Sequence, residues 1–347
     1  MTKPKLKIEW KQTNNKVHFN YKGTEIYFIL PDDFRLSETH PDLLKLSEYF
    51  MFNPWYDIIS DYTFTRNHGD NYGLSFSTGV DSTANMILLP EAHLVYTERD
   101  GIKTGLLNQD NAFRMINNMD RPVIRVKTNF ELIRTFHGLQ TGYSTGLGMG
   151  VPLILLSDHL NLGVISYGKV LEDQYFPMGL FRDYTTDYYK RQDLFDSCGL
   201  VGLYPTVGCT EVITTKIVDN SKYGQYSMSC VRGSNGKGCN RCFKCFRKNI
   251  LRGRDYFLDP ETKTSISKKP PKMAPSLMYA LKSRQLKLPE VSSLWNRDVS
   301  MLNKVYYPAY DLYSEELRTM VLDRLEQQGI QIMTEGEVNK LKSLTFI

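Results

Sequence analysis

Two groups of residues in this chain have the types and spacing that chemistry requires. The first is Leu74–Ser82, reading LSFSTGVDS: mostly apolar, strand-like residues, a short Ser/Thr/Gly loop, and an Asp-Ser pair opening the apolar segment Ala84–Leu89. A buried strand feeding a tight loop and then a helix is a ready site for phosphate. The first amides of the helix lack intrahelical partners, and its dipole is positive at that end. Gly79 lets the backbone close on an anion without an intervening side chain. Asp81 is poorly suited to a bare phosphate but well suited to hold Mg²⁺ against one. Ser77, Thr78, Gly79, Val80, Asp81 and Ser82 therefore form a candidate binding loop for a nucleotide and its metal.

The second group is Cys230, Cys239, Cys242 and Cys245, spaced Cys-x8-Cys-x2-Cys-x2-Cys, with Gly233, Gly236 and Gly238 between the first two. Thiolates this close, on a glycine-rich backbone able to wrap a small ion, fit a tetrahedral Zn²⁺ site. Four cysteines leave no coordination position for water, so such an ion would be structural. Disulfides and an iron–sulfur cluster are the alternatives, and zinc is the favoured reading. Cys198 and Cys209 stand apart and read as core or loop thiols.

The stretch Ser77-Thr78-Gly79-Val80-Asp81-Ser82 resembles the PP-loop of the ATP pyrophosphatase superfamily, whose signature is Ser-Gly-Gly-x-Asp-Ser. Thr78 stands in place of the first glycine. A PP-loop near the start of an α/β domain, followed well downstream by these four cysteines, is most similar to the 7-cyano-7-deazaguanine synthases. In that family ATP adenylates a carboxylate, ammonia converts the adduct to an amide, and a second activation yields the nitrile. The resemblance spans roughly residues 70–255. It implies a doubly wound, HUP-like (adenine nucleotide α-hydrolase) fold, ATP with Mg²⁺, and Zn²⁺ on the four cysteines. The implied activity is that of an ATP-dependent ligase or ATP pyrophosphatase forming AMP and pyrophosphate. The family's acidic position after the fourth strand falls on Asp173 or Glu172, which would orient the acceptor or the metal. Pro205 and Thr210–Ile213 resemble a further element of these proteins, with its lysine missing. The family's substrate segment has a loose counterpart in Met178–Tyr184, which puts Arg182 forward as a substrate contact.

The elements that must position these groups read as α/β. Residues 5–30 alternate with period two through Leu6, Ile8 and Trp10, then Val17, Phe19 and Tyr21, then Ile26, Phe28 and Leu30. Turns at Asn14-Asn15 and Lys22-Gly23 make this a three-stranded antiparallel meander. A helix starts at Thr39 or His40 before Pro41 and stops at Asn53-Pro54. From about residue 70, apolar runs alternate with helical stretches, as in parallel βαβ units. Strands are expected at Leu74, Ala92–Thr97, Val123–Val126 and Gly163–Gly168, with helices at Asn111–Met119, Phe130–Phe136 and Val151–His159 behind the glycine-rich Thr141–Gly150. Ligands in such sheets bind beyond the carboxyl ends of the strands. The loops starting at Ser77, Tyr96, Lys127 and Gly168 then face the site, with Tyr96 and Gly168 as further nucleotide contacts. The chain divides into an N-terminal meander-plus-helix appendage (1–65), the PP-loop domain with its cysteine insert (66–255), and a linker with helical tail (256–347), where Leu317, Met320, Val321 and Leu325 form a stripe ended by Gly329.

With 347 residues and 43 basic against 38 acidic side chains, the net charge of +5 is too mild to name a partner by itself. No apolar run is long enough for a membrane span, and the basic N-terminus has no apolar signal core, so the expected location is cytoplasmic. Six basic residues and no acid lie between Arg241 and Arg254, interleaved with Phe243 and Phe246, and a second cluster runs Lys268–Lys272. Nucleic acid is a less favoured partner here than ATP phosphates or solvent. The expected partners are ATP, a small carboxylate substrate and ammonia or another amine, and a homodimer is left open. The rival readings are a superfamily enzyme acting on a peptide, cell-wall precursor or phage-defence substrate, and a non-catalytic, zinc-containing nucleic-acid-binding module.

Overall fold

The apolar runs of the sequence merge into one eight-stranded mixed sheet. The computed structural model describes residues 3–102, 107–141, 146–183, 194–271 and 273–347. Its strands are β1 (Lys11–Thr13), β2 (Lys16–Tyr21), β3 (Thr24–Ile29), β4 (Asn71–Ser75), β5 (His93–Arg99), β6 (Val123–Thr128), β7 (Leu162–Tyr167) and β8 (Val201–Gly202), in the order β1-β2-β3-β6-β5-β4-β7-β8. The five strands from β6 to β8 are parallel, and β3, β2 and β1 continue the sheet antiparallel from β6. β4 is the first parallel strand in the chain and lies between β5 and β7. The chain winds outward to β5 and β6, then crosses back to place β7 on the other side of β4. Successive crossovers thus leave β4 in opposite directions, which opens a crevice at its carboxyl end. Parallel strands covered on both faces should be apolar throughout, and every residue of β7 is buried.

The N-terminal meander differs from expectation in two respects. Leu6, Ile8 and Trp10 form no strand; the first is Lys11–Thr13, paired with β2 through the turn at Asn14, whose φ is +55°. The Trp10 ring instead meets Phe19 edge-on at 4.8 Å, and its indole N–H donates to Glu48 Oε1 at 3.0 Å, which takes this segment out of the ladder. The meander also extends the main sheet, because Phe28 and Ile29 of β3 pair with Thr128 and Lys127 of β6.

Helix α1 (Pro41–Phe52) has His40 as its N-cap and Pro41 at its first position, and packs on α4 (Val151–Leu155). Helix α2 (Val80–Leu88) follows β4, α3 (Asp110–Asn117) follows β5, and Phe130–His137 after β6 winds as a 3₁₀ segment closed by Gly138 at φ +70°. Helix α5 (Leu171–Tyr175) follows β7 directly. The fifth parallel strand, β8, and helix α6 (Glu211–Asp219) were not anticipated; two residues are too few to show a periodicity.

Helix α7 (Phe243–Arg252) carries the end of the cysteine cluster, and α8 (Pro260–Ile266), α9 (Ala274–Ser283), α10 (Glu315–Gln327) and α11 (Glu335–Ser343) complete the chain. This last region is stitched to the sheet. Tyr310 Oη donates to the Pro205 carbonyl at 2.6 Å, Tyr306 N–H to Gly208 O at 2.9 Å, and Thr210 Oγ1 to Leu302 O at 2.6 Å. Arg324 of α10 donates to the Leu88 carbonyl at 2.8 Å, a cation closing the carbonyl end of α2. Among the described residues, no helix is long and apolar enough to cross a membrane.

Candidate functional site

Strand β4 delivers the loop Ser77–Gly79 to the crevice, and Gly79 is the N-cap of α2. Thr78 holds φ +61° and is 3% exposed. That left-handed conformation suits glycine and costs a β-branched residue about 1–2 kcal/mol. Thr78 thus adopts the backbone conformation a glycine would favour, and its carbonyl accepts from Ser227 Oγ at 3.3 Å. Ser77 and Ser82 hydroxyls lie 2.9 Å apart, and Ser82 Oγ also accepts from Ser77 N–H at 3.2 Å. Val80 N–H donates to Ser229 Oγ at 3.2 Å, tying the loop to the chain leading into the cysteines.

Gly168 backs this turn rather than lining it: a Cβ there would stand 2.7 Å from Ser82 N, so only glycine lets the end of β7 approach α2 so closely. Tyr96 lies within β5, which runs two residues further than expected, to Arg99; its ring is buried and its hydroxyl donates to Gln109 Oε1 at 2.9 Å.

Asp81 sits on the first turn of α2. Its Oδ1 accepts from Thr214 Oγ1 at 2.7 Å and lies 3.6 Å from Lys248 Nζ, while Oδ2 has no partner among the described residues. Lys248 also reaches Glu211 Oε1 at 3.7 Å. Glu211 opens α6 and is gripped by Arg247 through Nε (3.0 Å) and Nη2 (2.9 Å). Burial by itself would raise the Glu211 carboxyl, but the Arg247 and Lys248 charges outweigh it and hold it well below the usual carboxylate range.

The two acids after β7 part company. Glu172 is 2% exposed; its Oε1 accepts from Glu211 N–H at 3.1 Å and from Ser276 Oγ, knotting α5, α6 and α9 together. Burial, assisted by the Glu211 charge, pushes its carboxyl up to about 8. Asp173 faces outward, raised by desolvation and by the charges of Asp81 and Glu211. Arg182 is exposed, with its backbone N–H donating to Tyr175 O at 2.8 Å. Tyr184 of the same segment, part of the Thr141–Gly150 stretch (142–145) and Lys272 of the second basic cluster lie outside the described residues. Cys198 and Cys209 are buried, and burial pushes both thiols up to about 12, so neither is a thiolate near neutrality.

The four remaining cysteines converge, with their Sγ atoms all within 4.8 Å of one another. Cys242 and Cys230 are 3.9 Å apart, and Cys239 and Cys245 are 4.0 Å apart. A tetrahedron with metal–sulfur bonds of about 2.3 Å has edges of about 3.8 Å, so the cluster could hold a metal ion such as zinc. Cys242 is the N-cap of α7, accepting from Cys245 N–H at 3.5 Å, and Cys239 N–H donates to Cys230 Sγ at 3.3 Å. A Cβ on Gly238 would stand 2.7 Å from Cys245 Sγ, which explains glycine there. Buried Asn111 of α3 pins the loop by bonding Gly236 N–H at 2.8 Å and the Lys237 carbonyl at 3.0 Å.

Beside this cluster lies a cleft of about 270 Å³ whose walls include Ser229, Lys244, Lys248, Arg252 and Arg254. The basic run after Arg241 is therefore not one surface. Arg247 and Lys248 are buried in the ion-pair network, Arg252 pairs with Asp219 at 2.7 Å, and Phe243 and Phe246 are core residues. Lys248, Thr214, Ser229 and Asn111 belong to the site but carry no motif. Their one sequence signal is indirect: an acid-free basic run on a helix with apolar neighbours needs buried carboxylates to receive it.

A protein-family model described as a family of unknown function (DUF6395) matches residues 190–345, which take in Glu211, the cysteines, α7 and the C-terminal helices but not Ser77–Ser82. No curated protein sequence matches the chain.

Proposed function

We propose that this chain is a PP-loop ATP pyrophosphatase of HUP-like fold, related to the 7-cyano-7-deazaguanine synthases, that uses ATP to activate a carboxylate as an adenylate. A carboxylate oxygen attacks the α-phosphorus of ATP, and the bond to the pyrophosphate oxygen breaks. Ammonia or another amine then attacks the acyl carbon and AMP leaves.

The observation that carries this reading is Asp81. It stands on the first turn of the helix after β4, at the crevice between β5 and β7, with one carboxylate oxygen turned to Thr214 and Lys248 and the other free among the described residues. The parallel strands run in the order third, second, first, fourth, fifth, which supports a doubly wound reading. First-turn amides of α2 and the hydroxyls of Ser77 and Ser82 would bind the leaving phosphates, and Lys248 would orient Asp81. The free carboxylate oxygen fits Mg²⁺, which neutralises charge on the phosphates when bound; such ions take one or two protein carboxylates alongside the substrate's oxygens. The cysteine cluster, closed to substrate, would be a structural Zn²⁺ site that fixes the start of α7. Positioning and electrostatics do the work, and no side-chain nucleophile is needed.

Calorimetric titration with ATP and Mg²⁺, followed by assay of AMP and pyrophosphate with pooled carboxylates and ammonium, tests this. ATP binding that disappears in Asp81→Ala is expected. An absence of ATP binding, or an Asp81→Ala protein that binds as well as the parent, sinks the proposal.

A further inference from the structure

We propose that the basic cleft beside the cysteine cluster binds single-stranded nucleic acid, as a site separate from the loop at Ser77–Ser82. The cleft collects Lys237, Lys244, Lys248, Arg252 and Arg254, with Asp255 as the one acid in its wall. Two of these cations are spent on the fold: Lys248 on Asp81 and Glu211, and Arg252 on Asp219. Lys237, Lys244 and Arg254 are exposed and make no ion pair among the described residues. They come from three separate segments, namely the glycine loop between the first two cysteines, the first turn of α7 and the chain just past its end. Three convergent cations without carboxylate partners are a site for successive phosphates, not a solvated helix face.

The second observation is aromatic. Past Asp255 the chain presents Tyr256 and Phe257, 40% and 58% exposed, among the most exposed large apolar side chains in the molecule. The Tyr256 ring is held edge-on against buried Phe246 at 5.6 Å, so it is anchored next in the chain to Asp255 of the cleft wall rather than trailing free. Bases stack on such rings irrespective of sequence, while a neighbouring cationic groove carries the backbone. A lone phosphate would leave the aromatic step unexplained. A duplex keeps its bases stacked on one another and unavailable to the rings.

Fluorescence anisotropy with labelled single strands of about twelve nucleotides, RNA and DNA of one mixed sequence, tests the proposal over about 50–200 mM salt. The measurement is made on the parent chain without ATP, so it is independent of the adenylation reading. The double variant Lys244→Glu, Arg254→Glu should lower the slope of log affinity against log salt by about 1.4, at about 0.7 per lost contact. Phe257→Ala should weaken binding about fivefold or more. All three positions are exposed, and unchanged thermal melting of the variants confirms that the fold is intact. Failure to bind at the lowest salt, equal affinity in the variants, equal affinity for the duplex, or displacement of the strand by ATP overturns the proposal. In the last case the same cations would be serving the nucleotide.

Discussion

Lys248 Nζ stands 3.6 Å from Asp81 Oδ1 and 3.7 Å from Glu211 Oε1, and through it the helix behind the cysteine cluster reaches the loop after β4. The linkage is mechanical as well as electrostatic. Cys242 caps α7, Cys245 lies on its first turn, and Lys248 follows three residues later on the same helix. Whatever fixes the thiols therefore fixes where Lys248 points.

The two cations of α7 should separate cleanly on mutation. Arg247→Met leaves buried Glu211 without its bidentate partner and with Lys248, 3.7 Å away, as its nearest counter-charge, and removing one partner of a buried pair costs about 3–5 kcal/mol. Lys248→Met leaves the bidentate Arg247–Glu211 pair intact and should cost less, about 1–3 kcal/mol, while abolishing ATP binding if Asp81 depends on it. Urea unfolding of both variants checks this. Equal destabilisation would show that Lys248 carries as much of the neutralisation of Glu211 as Arg247 does.

Metal removal should act at a distance. One equivalent of zinc by elemental analysis is expected, lost in Cys242→Ser together with thermal stability, because metal binding to such a cluster is part of the folding free energy. The helix dipole at the start of α7 helps to hold the thiolates but cannot replace the ion. If chelation strips the metal and leaves the melting temperature unchanged, the cluster does not anchor α7. Iron or acid-labile sulfide in the preparation would replace zinc by an iron–sulfur centre.

The sequence made the two ends of this linkage legible but not the middle. Asp81 and the cysteines are visible because their chemistry needs short, fixed spacings: a loop that closes on an anion and thiols that surround one ion. Lys248, Thr214 and Ser229 meet Asp81 or its loop across 133 to 167 residues of chain, where no local pattern survives. The strands β4 to β7 were readable as apolar runs between turns. β8 was not, and Leu6, Ile8 and Trp10 alternated like a strand while Trp10 was drawn against the core by Phe19 and Glu48. Glu172 and Asp173 looked equivalent as neighbours, yet one lies in the interior and the other faces solvent.

Glu172 should impose a pH dependence of its own. Its carboxyl is raised from 4.5 to about 8 in the fold, so the folded state holds a proton the unfolded chain releases. The stabilisation is complete below pH 4.5 and is lost as the pH rises through about 8. Glu211, held low by Arg247 and Lys248, acts in the opposite sense: its contribution is present above the ordinary carboxylate range and is lost only in strong acid. Between these limits Glu172 dominates. Glu172→Gln keeps an acceptor for Ser276 without the titrating proton, so its urea midpoint should rise relative to the parent as the pH moves from about 5 to about 8.5. A constant difference across that range would mean that Glu172 is ionised in the fold.

Thr78 offers the sharpest test of the loop, because its conformation and its residue type disagree. At φ +61° a β-branched side chain carries about 1–2 kcal/mol of strain that glycine would not, against about 0.4–1 kcal/mol gained by glycine's freedom in the unfolded chain. Thr78→Gly should therefore be neutral to stabilising by up to about 1.5 kcal/mol in urea unfolding. Thr78→Val keeps the strain and loses only the hydroxyl, for which no hydrogen bond is made among the described residues, so it should match the parent. If the loop binds nucleotide, Thr78→Gly should leave ATP affinity equal or improved, since the backbone it frees already has the required shape. A Thr78→Gly protein less stable than the parent by more than 1 kcal/mol would mean that the threonine side chain holds the loop in place rather than straining it.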